Sequence, residues 1–322
     1  MLSSQTPVSL THSRPKAIVI AGPTASGKSA LALAIAAEFH GTIINADSQQ
    51  CYGDLPLLTA RPTSAETSRA PHRLFGDLGP LAKDSAPAWA ARAAMVIAES
   101  TAIGSPPIVA GGTGLYLQAL MAGMPDMPSI PSEVRDAARA LLMEIGHGKF
   151  HARLAVRDPA GAERIKTGDT QRLLRAWEVA EATGRPLSAW QADTPHPPLA
   201  ADYLSILLMP ARADVVTAGD ERFDRMMACG ALEEVAALLG RGIPPTAPVM
   251  RVLGARPLAR HLAGEIERAE AITLAKTATR QYAKRQSTWF RHQLFAETTY
   301  FTKYSESLLP EVFSKIRRFL LT

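Results

Sequence analysis

A run of eight residues, Gly22-Pro-Thr-Ala-Ser-Gly27-Lys28-Ser29, constrains this chain more than any other stretch. It fits the pattern G-x-x-x-x-G-K-[ST] and lies between a short β-branched apolar run (17–21) and an Ala/Leu-rich helical stretch (29–39). Strand, glycine turn and helix are the context in which that pattern works. The glycines let backbone N–H groups converge on phosphate oxygens, and the helix N-terminus adds its dipole. Lys28 supplies a point charge and Ser29 a hydroxyl for Mg2+. Gly22, Pro23, Thr24, Ala25, Ser26, Gly27, Lys28 and Ser29 are therefore the expected cradle for a diphosphate or polyphosphate. The alternative is a glycine turn that only packs strand on helix. The fold class implied is α/β, a P-loop NTPase-like parallel sheet core flanked by helices.

The apolar runs extend this unit. Residues 42–46 predict a second strand ending at Asp47, and 107–110 a third ending in Gly111-Gly-Thr-Gly114. Residues 86–102 predict a long Ala-rich helix, and 203–209 a further core strand closed by Pro210. Each of the first three strand ends carries Gly, Asp or Thr just past the apolar run, at the edge where open α/β sheets bind ligands. Between 125 and 198 the texture changes. Pro125, Pro128 and Pro131 open the segment, Pro195, Pro197 and Pro198 close it, and helical patterns at 133–145 and 170–182 fill it. The expected organisation is a core over 16–124 and 199–300 and an all-helical insertion over 125–198. Everything past Asp214 reads as helical until a polar C-terminal tail, 301–322, and residues 1–15 read as a disordered N-terminus.

Composition excludes several classes. The 322 residues carry 35 Lys+Arg against 30 Asp+Glu, a formal charge of +5, and are 47% hydrophobic, which suits a packed chain rather than a disordered one. No apolar run approaches the ~20 residues of a membrane-spanning helix. Two cysteines, Cys51 and Cys229, make neither a disulfide scaffold nor a four-cysteine zinc site, and point to a reducing cytoplasm.

Two further features carry chemistry. The strand at 107–110 runs into Gly111-Gly112-Thr113 without the carboxylate that a hydrolytic phosphate-loop enzyme places there. The acid comes earlier, as Asp47. A lone carboxylate at this edge can serve as a general base toward a second substrate, or it can be a helix cap or a group behind Mg2+. Near the end, Lys276, Arg280, Lys284, Arg285 and Arg291 share one helical stretch with Tyr282, Trp289 and Phe290, and no Asp or Glu occurs from Ala271 through Ala296. This is either a solvated basic face or a contact for nucleic-acid backbone.

Together these elements resemble the tRNA dimethylallyltransferase (isopentenyl transferase) family. The matching stretches are Gly22–Ser29, Asp47-Ser-Gln-Gln-Cys-Tyr52, Thr59-Ala-Arg-Pro62, Pro71-His-Arg73, Gly111-Gly-Thr-Gly-Leu-Tyr116, Asp158-Pro159, Gln171-Arg172, Thr183-Gly184, Arg222-Phe-Asp-Arg-Met226 and Thr279-Arg-Gln-Tyr-Ala-Lys-Arg-Gln-Ser-Thr-Trp-Phe-Arg291, in family order. The resemblance implies transfer of a dimethylallyl group from dimethylallyl diphosphate to the exocyclic N6 amine of the adenosine 3′ of the anticodon, with diphosphate released. It implies that Asp47 is the base, that Thr113 holds the amine, and that Lys28, Arg222 and Ser29, through Mg2+, neutralise the diphosphate. The tRNA contacts it carries over fall on Asp47, Ser48, Gln49, Gln50, Thr113, Arg135, Gln171, Arg172, Leu173, Leu174, Arg175, Arg251, Val252, Leu253, Gly254, Ala255, Arg256 and Lys284. The insertion is expected to grip the anticodon stem-loop, and the chain to be a cytoplasmic monomer without membrane contact. Arg61 stands where the family has Lys, and Ala255 where it has Tyr, which removes an aromatic from the RNA-facing stretch. The zinc-finger extension of eukaryotic relatives is absent, which implies a bacterial-type enzyme. A P-loop small-molecule kinase is the rival enzyme class. A nucleotide-gated RNA-binding protein is the rival without catalysis.

Overall fold

In the computed structural model, which describes residues 14–125 and 127–322, β1 (Lys16–Ala21) is wholly buried over its last five residues. A β-branched run covered on both faces requires this. The phosphate loop follows, then α1 (Lys28–Phe39) and β2 (Thr42–Asn45), the first parallel crossover. Short α2 (Pro56–Thr59) and α3 (Ser64–Thr67) lead to β3 (His72–Arg73). They are followed by α4 (Ala86–Ala102), β4 (Pro107–Gly111) and α5 (Gly114–Met121). The expected disordered terminus falls, but for Arg14 and Pro15, outside the described residues.

The chain then divides. Residues 122–197 form one compact unit and the rest another. The smaller unit holds α6 (Ser132–Arg157), α7 (Pro159–Arg164), α8 (Thr170–Thr183) and α9 (Leu187–Gln191). Gly146, at φ 74°, kinks α6 in the middle. Phe150, Leu154, Leu173, Ala176 and Trp177 make its core, independent of the sheet. Asp158 is fully buried because it caps α7 through Gly161 N–H (2.9 Å) and accepts Ser188 N–H (3.1 Å). Asp169 caps α8 and left-handed Gly184 ends it, so the motif residues Asp158 and Gly184 serve to fold this unit.

In the larger unit β5 (Asp202–Leu208) follows, then α10 (Arg212–Ala228), α11 (Ala231–Gly240), α12 (Ala255–Leu262) and α13 (Arg268–Gln293). The stretch before the expected tail is not helical throughout, and the tail itself (301–322) is not loose. β6 (Thr298–Tyr300) pairs in parallel with β5, and α14 (Leu309–Leu321) buries Val312 and Ile316 completely against the sheet core with Ile18, Ile206, Leu31 and Ile35. Strand order is β3-β2-β4-β1-β5-β6, with every pairing parallel. The carboxyl ends of β1, β2 and β4 therefore come together at one edge, which is where the site forms.

Candidate active site

The phosphate loop turns sharply. Ala25 (φ 62°) and Gly27 (φ 92°) both lie in the left-handed region, and a side chain on Gly22 would strike the Leu208 carbonyl. Gly22 and Gly27 are thus required by backbone approach and torsion, not by the sequence pattern alone. Lys28 folds back so that its Nζ donates to Pro23 O (2.7 Å). Burial lowers its pKa to about 8, with Asp47 opposing and Arg222 adding to the shift. Arg222, on α10, donates to Thr24 Oγ1 (2.6 Å), and burial lowers its pKa against the pull of Asp47. Two half-buried cations beside one carboxylate make a site that an incoming diphosphate would complete.

Asp47 is fixed from behind. Asp47 N–H donates to buried Asn45 Oδ1 (2.8 Å), and Asn45 Nδ2 donates to Asp47 O and Leu74 O (both 3.0 Å). The Asp47 carboxylate accepts Gln49 N–H (3.0 Å), an Asx turn that leaves its other oxygen available. Thr113 Oγ1 accepts Ser48 N–H (2.9 Å), so the loop after β4 braces the loop after β2.

Two cavities meet here. One, with ≈ 830 Å³ of empty space, is lined by the phosphate loop, Lys28, Ser29, Asp47, Arg222 and Arg225. The other, with ≈ 470 Å³, adds the apolar side chains of Leu58, Phe223, Met226 and Leu253, together with Thr279 and Tyr282. Thr24, Asp47, Gln50 and Arg222 line both. Ser29 and Asp47 offer oxygen ligands to the first cavity, and no cluster of three or more His, Cys, Asp or Glu exists among the described residues. That donor set fits Mg2+, which takes one or two protein oxygens, keeps its waters and binds substrate phosphates.

Helix α13 contributes more than its charges announced. Thr279, Ala283, Gln286 and Phe290 form its buried face. Gln286 Oε1 accepts Thr24 N–H (2.8 Å) while its Nε2 donates to Gly112 O (2.8 Å), tying the phosphate loop to the loop after β4. The Tyr282 hydroxyl lies among Thr113, Gln49 and Ser48; burial, then Asp47, pushes its pKa up to about 12, against the effect of those hydrogen bonds. The sequence marks Tyr282 only as an aromatic of the basic stretch and Gln286 only as part of the Thr279–Arg291 block, neither with a place in this site. Their spacing of four on a buried face was the available signal. The outer face is less free than its composition indicates, since Lys276 pairs with Asp224 (2.6 Å) and Arg280 with Asp220. Lys284 is exposed and lines a separate groove with Arg212 and Arg291, away from Asp47.

Several expected RNA contacts take other work. Leu173, Val252 and Ala255 are buried core residues, so their side chains cannot meet RNA; Ala255 packs at the start of α12 beneath left-handed Gly254. The aromatic missing there is thus missing from a core position rather than from an RNA-facing surface. Gln49 Oε1 accepts Leu253 N–H (2.9 Å), and Gln50 donates to Thr59 O and Ala60 O. Arg251, Arg256, Gln171 and Arg172 are exposed, and Arg135, Leu174 and Arg175 are half-buried. Burial lowers the Arg175 pKa, Glu178 opposes it and the nearby Arg135 charge adds to it.

The parallel sheet, the phosphate loop at its carboxyl edge and the second cavity sharing Asp47 define a P-loop α/β protein whose anion cradle adjoins a mixed recess, polar over most of its lining with Leu58, Phe223, Met226 and Leu253 as its apolar patch. The IPP transferase family model matches residues 50–293, and the chain belongs to that family. It is 49% identical over 313 residues to the tRNA dimethylallyltransferase of Paramagnetospirillum magneticum, covering 97% of this chain and 99% of the relative. To that of Parvibaculum lavamentivorans it is 50% identical over 301 residues, covering 94% and 96%. Among solved structures, a tRNA isopentenylpyrophosphate transferase from Staphylococcus epidermidis aligns with a TM-score of 0.67 at 32% identity, covering 95% of this chain and 99% of that one. A eukaryotic dimethylallyltransferase caught acting on tRNA aligns with a TM-score of 0.71 at 29% identity, covering 85% and 69%.

Proposed function

We propose that this protein transfers a dimethylallyl group from dimethylallyl diphosphate to the N6 amine of the adenosine 3′ of the anticodon in tRNA, releasing diphosphate. The observation that carries this reading is the shared wall of the two cavities. A cationic cradle and a recess with an apolar patch of Leu58, Phe223, Met226 and Leu253 meet at Asp47 and Arg222, which gives a prenyl diphosphate's two halves a place each.

The diphosphate lies on the backbone N–H groups of the 22–29 loop, with Lys28 and Arg222 on its oxygens, and the prenyl tail points to Leu58, Phe223 and Met226. Mg2+, held through Ser29, would lower the cost of charge building on the leaving group. As the prenyl C1–O bond breaks, its electron pair departs with the diphosphate, and the N6 lone pair forms the new C1–N bond. The N6 proton passes to the Asp47 carboxylate. The amine lone pair is delocalised into adenine, so removing that proton as the bond forms contributes ~10²–10⁴ in rate. Thr113, already accepting Ser48 N–H, holds the amine's approach to Asp47. The adenosine must leave its stack to enter so recessed a site. Arg135, Gln171, Arg172 and Arg175 of the helical unit, with Arg251 and Arg256 of the core, grip the stem-loop backbone.

A kinase or a passive binder leaves the apolar patch beside the phosphate cradle without a use, and the tRNA dimethylallyltransferase relatives favour neither. Incubating protein, Mg2+, dimethylallyl diphosphate and unmodified tRNA, then digesting the RNA for mass analysis, tests the reading. One adenosine per anticodon loop should gain a dimethylallyl group. Unaltered adenosines, or ATP consumption with a phosphorylated small molecule, contradict it. The assignments of cytoplasm and monomer belong to the same reading, and no helix among the described residues is long and apolar enough to cross a membrane.

A further inference from the structure

The family match ends at residue 293, yet the chain beyond it returns to the phosphate loop. After β6, Tyr304 N–H donates to Ser26 O (3.2 Å), and the Tyr304 Cβ lies where a side chain on Gly27 would come within 2.6 Å. In a trans peptide the carbonyl and the following N–H point in opposite directions. Holding the Ser26 carbonyl outward therefore turns Gly27 N–H inward, toward the cavity that Gly27, Lys28 and Ser29 line. The strap cannot drift: on one side β6 pairs with β5, and on the other α14 buries Val312 and Ile316 and pairs Arg317 with Glu38 of α1. The neighbouring Ala25 adopts positive φ (62°), which a residue with a side chain keeps only where its surroundings hold it.

We propose that the Tyr304 amide is a positioning element for the diphosphate site, fixing the Ser26–Gly27 peptide so that Gly27 N–H is aimed at the phosphate before substrate arrives. This rests on the assignment of the 22–29 loop to the diphosphate, and the test separates the two. The probe is inorganic pyrophosphate with Mg2+, measured by calorimetry on the full chain. Tyr304→Pro removes the amide; Tyr304→Ala keeps it and reports what the ring contributes. Loss of one preoriented donor to an anion should weaken pyrophosphate about tenfold in the proline variant, and less in the alanine variant. The KM for dimethylallyl diphosphate should rise with it while tRNA affinity stays level. Equal losses in both variants, or tRNA affinity falling in parallel, would place the effect in packing and overturn the proposal. Should the unaltered protein itself fail to bind pyrophosphate, the loop assignment goes first and the proposal with it. If the proline variant does not fold, hydrogen exchange on the unaltered protein decides. Exchange at the Tyr304 amide should slow further when pyrophosphate binds, and exchange unchanged by pyrophosphate contradicts the inference.

Discussion

In the proposed reaction Asp47 and Lys28 carry opposite halves of the chemistry, and each makes its own prediction. Asp47 is held by Asn45 and its own Asx turn rather than by an ion pair, so replacing it should leave the loop standing. Asp47→Ala should lower turnover by ~10²–10⁴, far more than it lowers tRNA affinity, measured by single-turnover transfer beside filter binding. Parallel losses would make Asp47 a binding residue. Lys28 has a folded pKa of about 8, below the ordinary 10.5, because burial disfavours its charge. An anion binds the charged form and raises that pKa again. Affinity for dimethylallyl diphosphate should therefore hold below pH 8 and weaken above it, by at most about tenfold per unit. The sign reverses for stability. Between about 8 and 10.5 the unfolded chain binds the proton more readily, so this lysine's contribution to stability grows with pH across that window. Affinity that rises above pH 8 would show that Lys28 does not meet the phosphate as a cation.

Helix α13 shows how a helix can be read on the wrong face. Its absence of acids suggested a free basic surface, but the acids that pair with Lys276 and Arg280 lie on α10, over fifty residues earlier, where no local count could find them. Lys284→Ala should therefore weaken tRNA binding in a salt-dependent way, and Lys276→Ala by much less, read from log affinity against log salt. Equal slopes would mean that the α10 pairs open when RNA binds. Strands followed a similar logic. β1, β2, β4 and β5 were legible because strands covered on both faces must be continuous apolar runs. β3, only His72–Arg73, and β6, reading Thr-Thr-Tyr, are short edge strands with no such run, and neither was anticipated. The placing of the phosphate loop and Asp47 at one sheet edge was legible because both depend on short, local patterns. Gln286 and Tyr282 were not, because their partners come from loops more than a hundred and fifty residues away.

Across the larger unit, the C-terminal segment closes the sheet rather than trailing from it. Lys315, Arg317 and Arg318 hide the spacing of Val312 and Ile316, which is why the segment read as a tail. Burying Ile316 completely beside Ile18, Leu31 and Ile206 makes it part of the sheet core. Ile316→Ala should cost about 2–5 kcal/mol in urea unfolding, where a residue in a loose tail would cost nothing measurable. The helical unit keeps its own apolar core around Phe150 and Trp177, so that loss should not reach its packing.

The central claim is that one recess brings a prenyl carbon and an adenine amine together beside Asp47. A crystal structure of the protein with a non-hydrolysable dimethylallyl diphosphate analogue and an anticodon stem-loop tests it most directly. Diphosphate on the 22–29 loop, prenyl tail against Phe223 and Met226, and the adenine N6 within hydrogen-bond reach of Asp47 is the arrangement expected. A tail lying elsewhere, or an adenine whose amine approaches a different side chain, would contradict it.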